Sequence, residues 1–244
     1  ADALHNYEGL QPVGSTLALD VRRDGKAMTV RAALKEQAKS VAGAALDARL
    51  SGATFAELPE AFAVPCDVTD TAALHAALDA IKQRAGAPEV VVHNAVGGAF
   101  ADFMEVAPKT LQLNFDVNVM ALLHLARWAA PLMVERGNGA IIVTGNTSAQ
   151  RGRAKFAGFA PTKAAQRILA ESIARDLGPK GVHVAYLIID AVIDVPWARA
   201  LYTTAEDDFF IKPSAIADEV YHLAHQDRSA WSFLAEVRPY RENW

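Results

Sequence analysis

Cysteine occurs once in the 244 residues, at Cys66, so no disulfide can form within the chain, which suits a reducing, cytoplasmic setting. No cluster of Lys and Arg stands out and the formal net charge is -4, which argues against a nucleic-acid surface. Uninterrupted apolar runs stay below the roughly 18 residues that a bilayer span needs, so no membrane segment is expected. Ala1 to Gly14 has no basic stretch leading into an apolar one, so it reads as an irregular extension and not as a secretory signal. His, Cys and Asp do not fall at ligand spacings, which points away from a metal centre. Gly-x-Ser-x-Gly is missing, and with it the nucleophile elbow of a hydrolase.

What is present is ample apolar material: 52% of residues are hydrophobic and 21% charged, which excludes a disordered chain and suits one large α/β domain. Glu89–His93, Ala140–Thr144 and His183–Ile189 are continuous apolar runs, the pattern of strands buried on both faces of a parallel sheet. Between them lie helical stretches. Asp70 follows Thr69 as a cap for a helix with Leu74, Ala77, Leu78 and Ile81 on its apolar side. Leu111–Arg136 reads as one long helix, and Phe159–Leu177 as another, stopped by Gly178-Pro179. Pro213-Ser214 opens a helix to about His225, and Trp231–Val237 reads as a last strand. Alternation of this kind predicts a doubly wound, Rossmann-like parallel sheet with helices on both faces, in a single domain over residues 1–244.

Several motifs recur in the order found in one family. Cys66-Asp67-Val68-Thr69, His93-Asn94-Ala95-Val96-Gly97, Asn114-Phe115-Asp116-Val117-Asn118, Phe159-Ala160-Pro161-Thr162-Lys163 and Ile193-Asp194-Val195-Pro196 together resemble the short-chain dehydrogenases/reductases from about Phe62 onward. The resemblance implies an oxidoreductase using NAD or NADP on a small carbonyl or alcohol substrate. It implies that Asp67 and Val68 meet the adenine ring and that Asn94 and Ala95 line the cofactor. Ile193 opens the segment implied to hold the nicotinamide carboxamide. Lys163 holds the cofactor ribose by the same likeness, and Asn118 positions Lys163 through a water. Homodimers or homotetramers built on the two long helices are implied as well.

The departures concern chemistry. Phe159 stands where the family has a tyrosine, and a phenyl ring can neither donate nor accept a proton. Asn146 stands where a serine is expected; its amide can hydrogen-bond an oxygen but cannot transfer a proton at neutral pH. Ser148 lies two residues further on, and Asp190-Ala191 replaces a Pro-Gly. A bacterial subgroup with Phe at the tyrosine position and a terminal Arg-Pro…Trp is similar, as in Arg238-Pro239 and Trp244. Asp190, at the end of a buried strand, is a candidate general acid, and Tyr202 a second proton donor. Each has a structural reading beside the functional one: Lys163 as a surface lysine, Asn146 as a loop cap, Asp190 as a loop-ordering carboxylate, Cys66 as core, His93 and His124 as satisfied inner histidines.

In the amino-terminal third, no Gly-x-x-x-Gly-x-Gly is present to bring backbone N–H groups to a pyrophosphate. One alignment makes Ser15–Val21 the first strand, Gly25 the surviving turn glycine, Ala27 to about Lys39 a helix and Val41–Asp47 the second strand. Asp47 then lies at the distance from the turn where an acid meets a ribose diol, which favours NAD over NADP. In the other, Ser15–Val21 is the second strand and Arg22-Arg23 face a 2′-phosphate. Three functional classes follow: an oxidoreductase with a non-standard proton donor, a non-catalytic subunit on the same fold, and a cofactor-free lyase of the halohydrin dehalogenase type. The first is preferred.

Overall fold

Every residue of Val182–Ile189 is buried, because this strand runs through the centre of a sheet with a helical layer on each face. The computed structural model describes residues 16–23, 26–33, 40–42, 54–56 and 61–242. Two compact units divide the chain, Ala1–Ala61 and Phe62–Trp244.

In the larger unit, Asp70 caps the first helix, α1 (Thr71–Ala85), by accepting from the N–H groups of Ala72 and Ala73. Leu74, Ala77 and Leu78 are its buried side. Next come β5 (Val90–His93) and a continuous helix from Pro108 to Arg136. That helix is α2 (Pro108–Phe115), a wide π turn (Asp116–Met120) and α3 (Ala121–Arg136), which ends at Gly137 with φ +66°. The order continues with β6 (Gly139–Gly145), α4 (Ala160–Leu177), β7 (Val182–Ile189), β8 (Val192–Ile193), α5 (Pro196–Leu201), β9 (Phe210–Ile211), α6 (Pro213–Ala224) and β10 (Leu234–Val237). Strands β10, β7, β6 and β5 lie in that spatial order, all parallel.

The pleat sorts the core. Ile141, Val143, Val184, Tyr186 and Ile188 face one side, where Leu122, Ala126, Ala129 and Met133 of α3 and Ala170 and Leu177 of α4 cover them. Ala140, Ile142, Ala185, Leu187 and Ile189 face the other, under Leu223 and Ile216 of α6. Each large aliphatic side chain so buried contributes about 1.5–3 kcal/mol. The Pro108–Arg136 helix is 29 residues long with a mean hydropathy of 1.4 in its most apolar window, long and apolar enough to cross a membrane by those measures. Continuous apolar runs overlook such a helix, since its polar residues are interspersed; here its apolar stripe is used on the sheet.

In the smaller unit, β1 (Thr16–Arg23) and β2 (Lys26–Ala33) pair antiparallel from Thr16↔Ala33 to Arg23↔Lys26. Likewise β3 (Ser40–Ala42) pairs antiparallel with β4 (Thr54–Ala56). This corrects the expected helix from Ala27: residues 26–33 are strand, and neither proposed alignment of Ser15–Val21 as a parallel strand holds among the described residues. The sequence carried the signal, because Asp24-Gly25 is a residue pair favoured between hairpin strands and Thr29-Val30 is β-branched. Gly25, Asp47 and the extension 1–14 lie outside the described residues. Residues 61–67 form no strand, so Asp67 ends no sheet strand here.

Candidate active site around a buried lysine

The carboxyl ends of β5, β6 and β7 open onto one edge of the sheet, the place where ligands gather in such folds. The loop after β5 is fixed there by the π turn. Asn118, fully buried, accepts from the Gly97 N–H at 3.0 Å and donates to the Gly97 carbonyl at 2.8 Å and to Thr162 Oγ1 at 2.8 Å. Gly97 has little freedom to be anything else, since a Cβ would stand 2.8 Å from Asn114 Oδ1. Asn114 in turn donates to the Gly158 carbonyl at 2.7 Å, tying α2 to the segment before α4.

Lys163 lies inside the protein, 2% exposed, on the face of α4 that meets β6 and β7. Its Nζ donates to Gln166 Oε1 at 2.5 Å and to the Thr144 carbonyl at 3.1 Å. Gln166 Nε2 donates to the Asn118 carbonyl at 2.8 Å, and the Tyr186 hydroxyl donates to Gln166 Oε1 at 3.2 Å. The Gln166 carboxamide thus links Lys163 to the Asn118 carbonyl. Burial pulls the Lys163 ammonium down to about 8 and pushes the Tyr186 phenol up. His93 is also buried and is held down to about 4, first by burial and then by the Lys163 charge. The Asn118 carbonyl opposes that shift, yet no hydrogen bond of good geometry reaches His93 Nε2, so this histidine is not satisfied as the sequence suggests.

The remaining expected residues are distributed as follows. Phe159 is buried at the start of α4, against Gly98 and edge-on to Phe100 with ring centroids 5.1 Å apart. Asn146 caps a short turn through Oδ1, which accepts from the Ser148 N–H at 3.0 Å, and Ser148 is buried behind it. Asp190, at the carboxyl end of β7, faces the Arg238 guanidinium at 3.5 Å. Tyr202 is exposed and tilted against Phe209, while Phe210 is buried. Asn94 is exposed, its Oδ1 accepting from Thr144 Oγ1 at 2.7 Å; Ala95 and Ile193 are half-buried, the latter in β8 beside Ile211. Asp67 is exposed and accepts from Thr69 N–H and Oγ1, and Val68 is half-buried. Cys66 is exposed, correcting its assignment to the core: it lies in an irregular segment with no strand to bury it. His124 is half-buried and meets His75 edge-on at 5.2 Å.

The structure thus brings Asn118, Lys163, Thr162 and Gln166 into one network and leaves Asp67 outside it. From the sequence, no site role is assigned to Gln166, Tyr186, Thr144 or Thr162. A signal existed for Gln166: it shares the inward stripe of α4 with Lys163, Ala170 and Leu177, a polar residue at a core position.

A profile described as short chain dehydrogenase matches residues 25–202. The chain is 31% identical over 139 residues to oxidoreductase asL5 of Sarocladium schorii, covering 57% of this chain and 56% of that protein. It therefore spans little more than half the length of that relative. It is 31% identical over 176 residues to the 3-oxoacyl-[acyl-carrier-protein] reductase MabA of Mycobacterium tuberculosis H37Rv, covering 69% and 71%. Among solved structures, a short-chain dehydrogenase from Rhodopseudomonas palustris superposes with a TM-score of 0.61 at 33% identity, covering 73% and 74%. A metagenomic short-chain oxidoreductase in complex with NADP superposes with a TM-score of 0.63 at 27% identity, covering 74% and 75%.

Proposed function

The chain belongs to the short-chain dehydrogenase family, and on that footing we propose that it is an NAD(P)-dependent oxidoreductase acting on a carbonyl or alcohol, with a proton route that does not use position 159. The observation that carries this reading is the network joining Asn118, Gly97, Thr162, Lys163 and Gln166 at the carboxyl edge of the sheet. A scaffold without a ligand has no use for a lysine kept in its interior, since burying that charge costs stability.

The donor set fits the ribose and carboxamide end of a nicotinamide dinucleotide: the exposed Asn94 amide, the backbone after Ile193 and the Lys163 ammonium. Hydride chemistry is what the nicotinamide supplies when bound. The described residues of β1 and β2 form a hairpin and not a strand followed by a helix start, so no pyrophosphate contact is assigned there. Phe159 shapes the wall and holds no proton. Asn146 has its Oδ1 engaged by Ser148, which leaves Nδ2 to polarise a substrate oxygen. Asp190 is engaged with Arg238, so the proton passes through water or Tyr202. We extend the same reading to a cytoplasmic homo-oligomer, for whose contact the exposed apolar side chains of Ile168 on α4 and Met120 in the π turn are candidates. The Asp47 spacing presupposed a helix after Gly25; with residues 26–33 in a strand it no longer separates NAD from NADP.

Calorimetric titration with NAD, NADH, NADP and NADPH at low salt tests the reading. Micromolar binding of any of them supports it. Absence of binding of all four at millimolar concentration would sink it and favour a non-catalytic subunit.

A further inference from the structure

Lys163 has three N–H donors and an internal position that satisfies two of them, one through a backbone carbonyl of β6 and one through a side chain of its own helix. The backbone partner is fixed by the sheet. The side-chain partner is not, and it is Gln166 that has every polar atom committed within this network. Gln166 is fully buried. Its Oε1 receives Lys163 and Tyr186, and its Nε2 reaches across to the carbonyl of Asn118 in the π turn. The orientation of the amide follows from its neighbours: two donors on one end and a carbonyl on the other admit only one way round.

We propose that Gln166 is the positioning residue of this site, its carboxamide bridging the Lys163 ammonium to the Asn118 carbonyl and thereby setting where the ammonium points and how readily it gives up its proton. The link to catalysis rests on the oxidoreductase reading above; the link to the lysine does not. Four elements converge on the bridge: α4 through Lys163 and Gln166, β6 through the Thr144 carbonyl, β7 through Tyr186, and the π turn through Asn118. The titratable groups around the ammonium are His93 on β5, whose imidazole feels the lysine charge, and the Tyr186 phenol on β7, which is itself influenced by Arg167. Both are neutral at pH 7 by virtue of burial, so neither supplies a countercharge to the ammonium. The carboxamide oxygen therefore does more to hold the charged form than any other side chain in contact with it.

Two substitutions act in opposite senses. Gln166→Met keeps the length and removes the acceptor, which disfavours the charged lysine. Gln166→Glu keeps the acceptor and adds a negative charge, which favours it. The experiment is a pH titration of the Lys163 side chain by NMR in isotope-labelled, cofactor-free protein, with Lys163→Met identifying the resonance and thermal melts confirming that each variant folds. The expected result is a Lys163 midpoint well below that of the surface lysines. In Gln166→Met the midpoint falls by about one pH unit, the consequence of losing one hydrogen bond to a charged group. In Gln166→Glu it rises. With a substrate in hand, the pH dependence of kcat/KM moves in the same two directions. Midpoints unchanged in both folded variants, or a wild-type lysine that titrates with the surface ones, would overturn the proposal. If Gln166→Met does not fold, Tyr186→Phe serves in its place: with its hydroxyl gone Gln166 Oε1 is left wholly to Lys163, and the midpoint should rise. Failure of the wild type to bind any dinucleotide would remove the oxidoreductase reading and leave the lysine titration to decide on Gln166 by itself.

Discussion

The Tyr186 ring on β7 lies directly against the backbone of Gly145 on β6, so closely that a Cβ at position 145 would fall inside the van der Waals shells of Cε1, Cζ and the hydroxyl of the ring. The two residues are neighbours across a parallel pair, offset by two positions in a register that sets Gly145 opposite Ile188 and Val143 opposite Tyr186. A glycine at the end of β6 is therefore what allows a phenol to enter this layer and deliver its hydroxyl to Gln166 at 3.2 Å.

It follows that Gly145→Ala should destabilise the protein by about 1–3 kcal/mol through overpacking. Urea unfolding measures this. Because the two positions share one volume, the effects of Gly145→Ala and Tyr186→Ala should be non-additive, the double variant losing less than the sum. Additive losses would show that the ring has room to move aside.

The dehydrogenase-like sheet was readable because its strands are continuous apolar runs and its helices carry their own stops, Asp70 before α1 and Gly178-Pro179 after α4. The chemistry inside was less so. Tyr186 sits in an unbroken apolar strand and reads as core, and nothing local says that its hydroxyl has a partner 20 residues back. Gln166 reads as one more polar helix residue until the stripe through Lys163, Ala170 and Leu177 is drawn. Phe159 and Asn146 stood out only against a family pattern, since a missing phenol leaves no trace in periodicity. In the amino-terminal third, the alanines and lysines of 26–39 favour a helix by propensity, and strand pairing across Asp24-Gly25 overrides that preference over residues 26–33. Local propensity cannot see a partner strand.

His93 makes stability depend on acid. In the folded protein its imidazole is held down to about 4, against an ordinary value of 6.5, so between those values the unfolded chain binds a proton that the folded one refuses. Stability from this source is complete above about pH 6.5 and is lost as pH falls towards 4. The loss between pH 7 and pH 5 should be about 2 kcal/mol. Urea unfolding at the two pH values, beside His93→Leu, isolates it: the variant should lack this part of the acid sensitivity. An equal loss in both proteins would show that carboxylates elsewhere account for the whole effect.

Phe159→Tyr tests whether the site is organised for the chemistry it lacks. The ring of Phe159 begins α4 in a buried position, four residues before Lys163, and packs on Gly98 and Phe100. A para-hydroxyl would extend from a ring already held on two sides, adding a proton donor without new backbone. General acid catalysis is typically worth about 10²–10⁴-fold, so carbonyl reduction by the variant should rise by something in that range if substrate and cofactor bind as proposed. Lys163→Met in the Phe159→Tyr background should remove most of the gain, because an ammonium carried one helical turn on would lower the phenol's pKa. Dinucleotide binding should stay unchanged in Phe159→Tyr, which separates an effect on chemistry from one on affinity. A variant that binds cofactor as the wild type does yet shows no gain would mean that the substrate oxygen is presented to Asn146 and water alone, on a path that position 159 never touches.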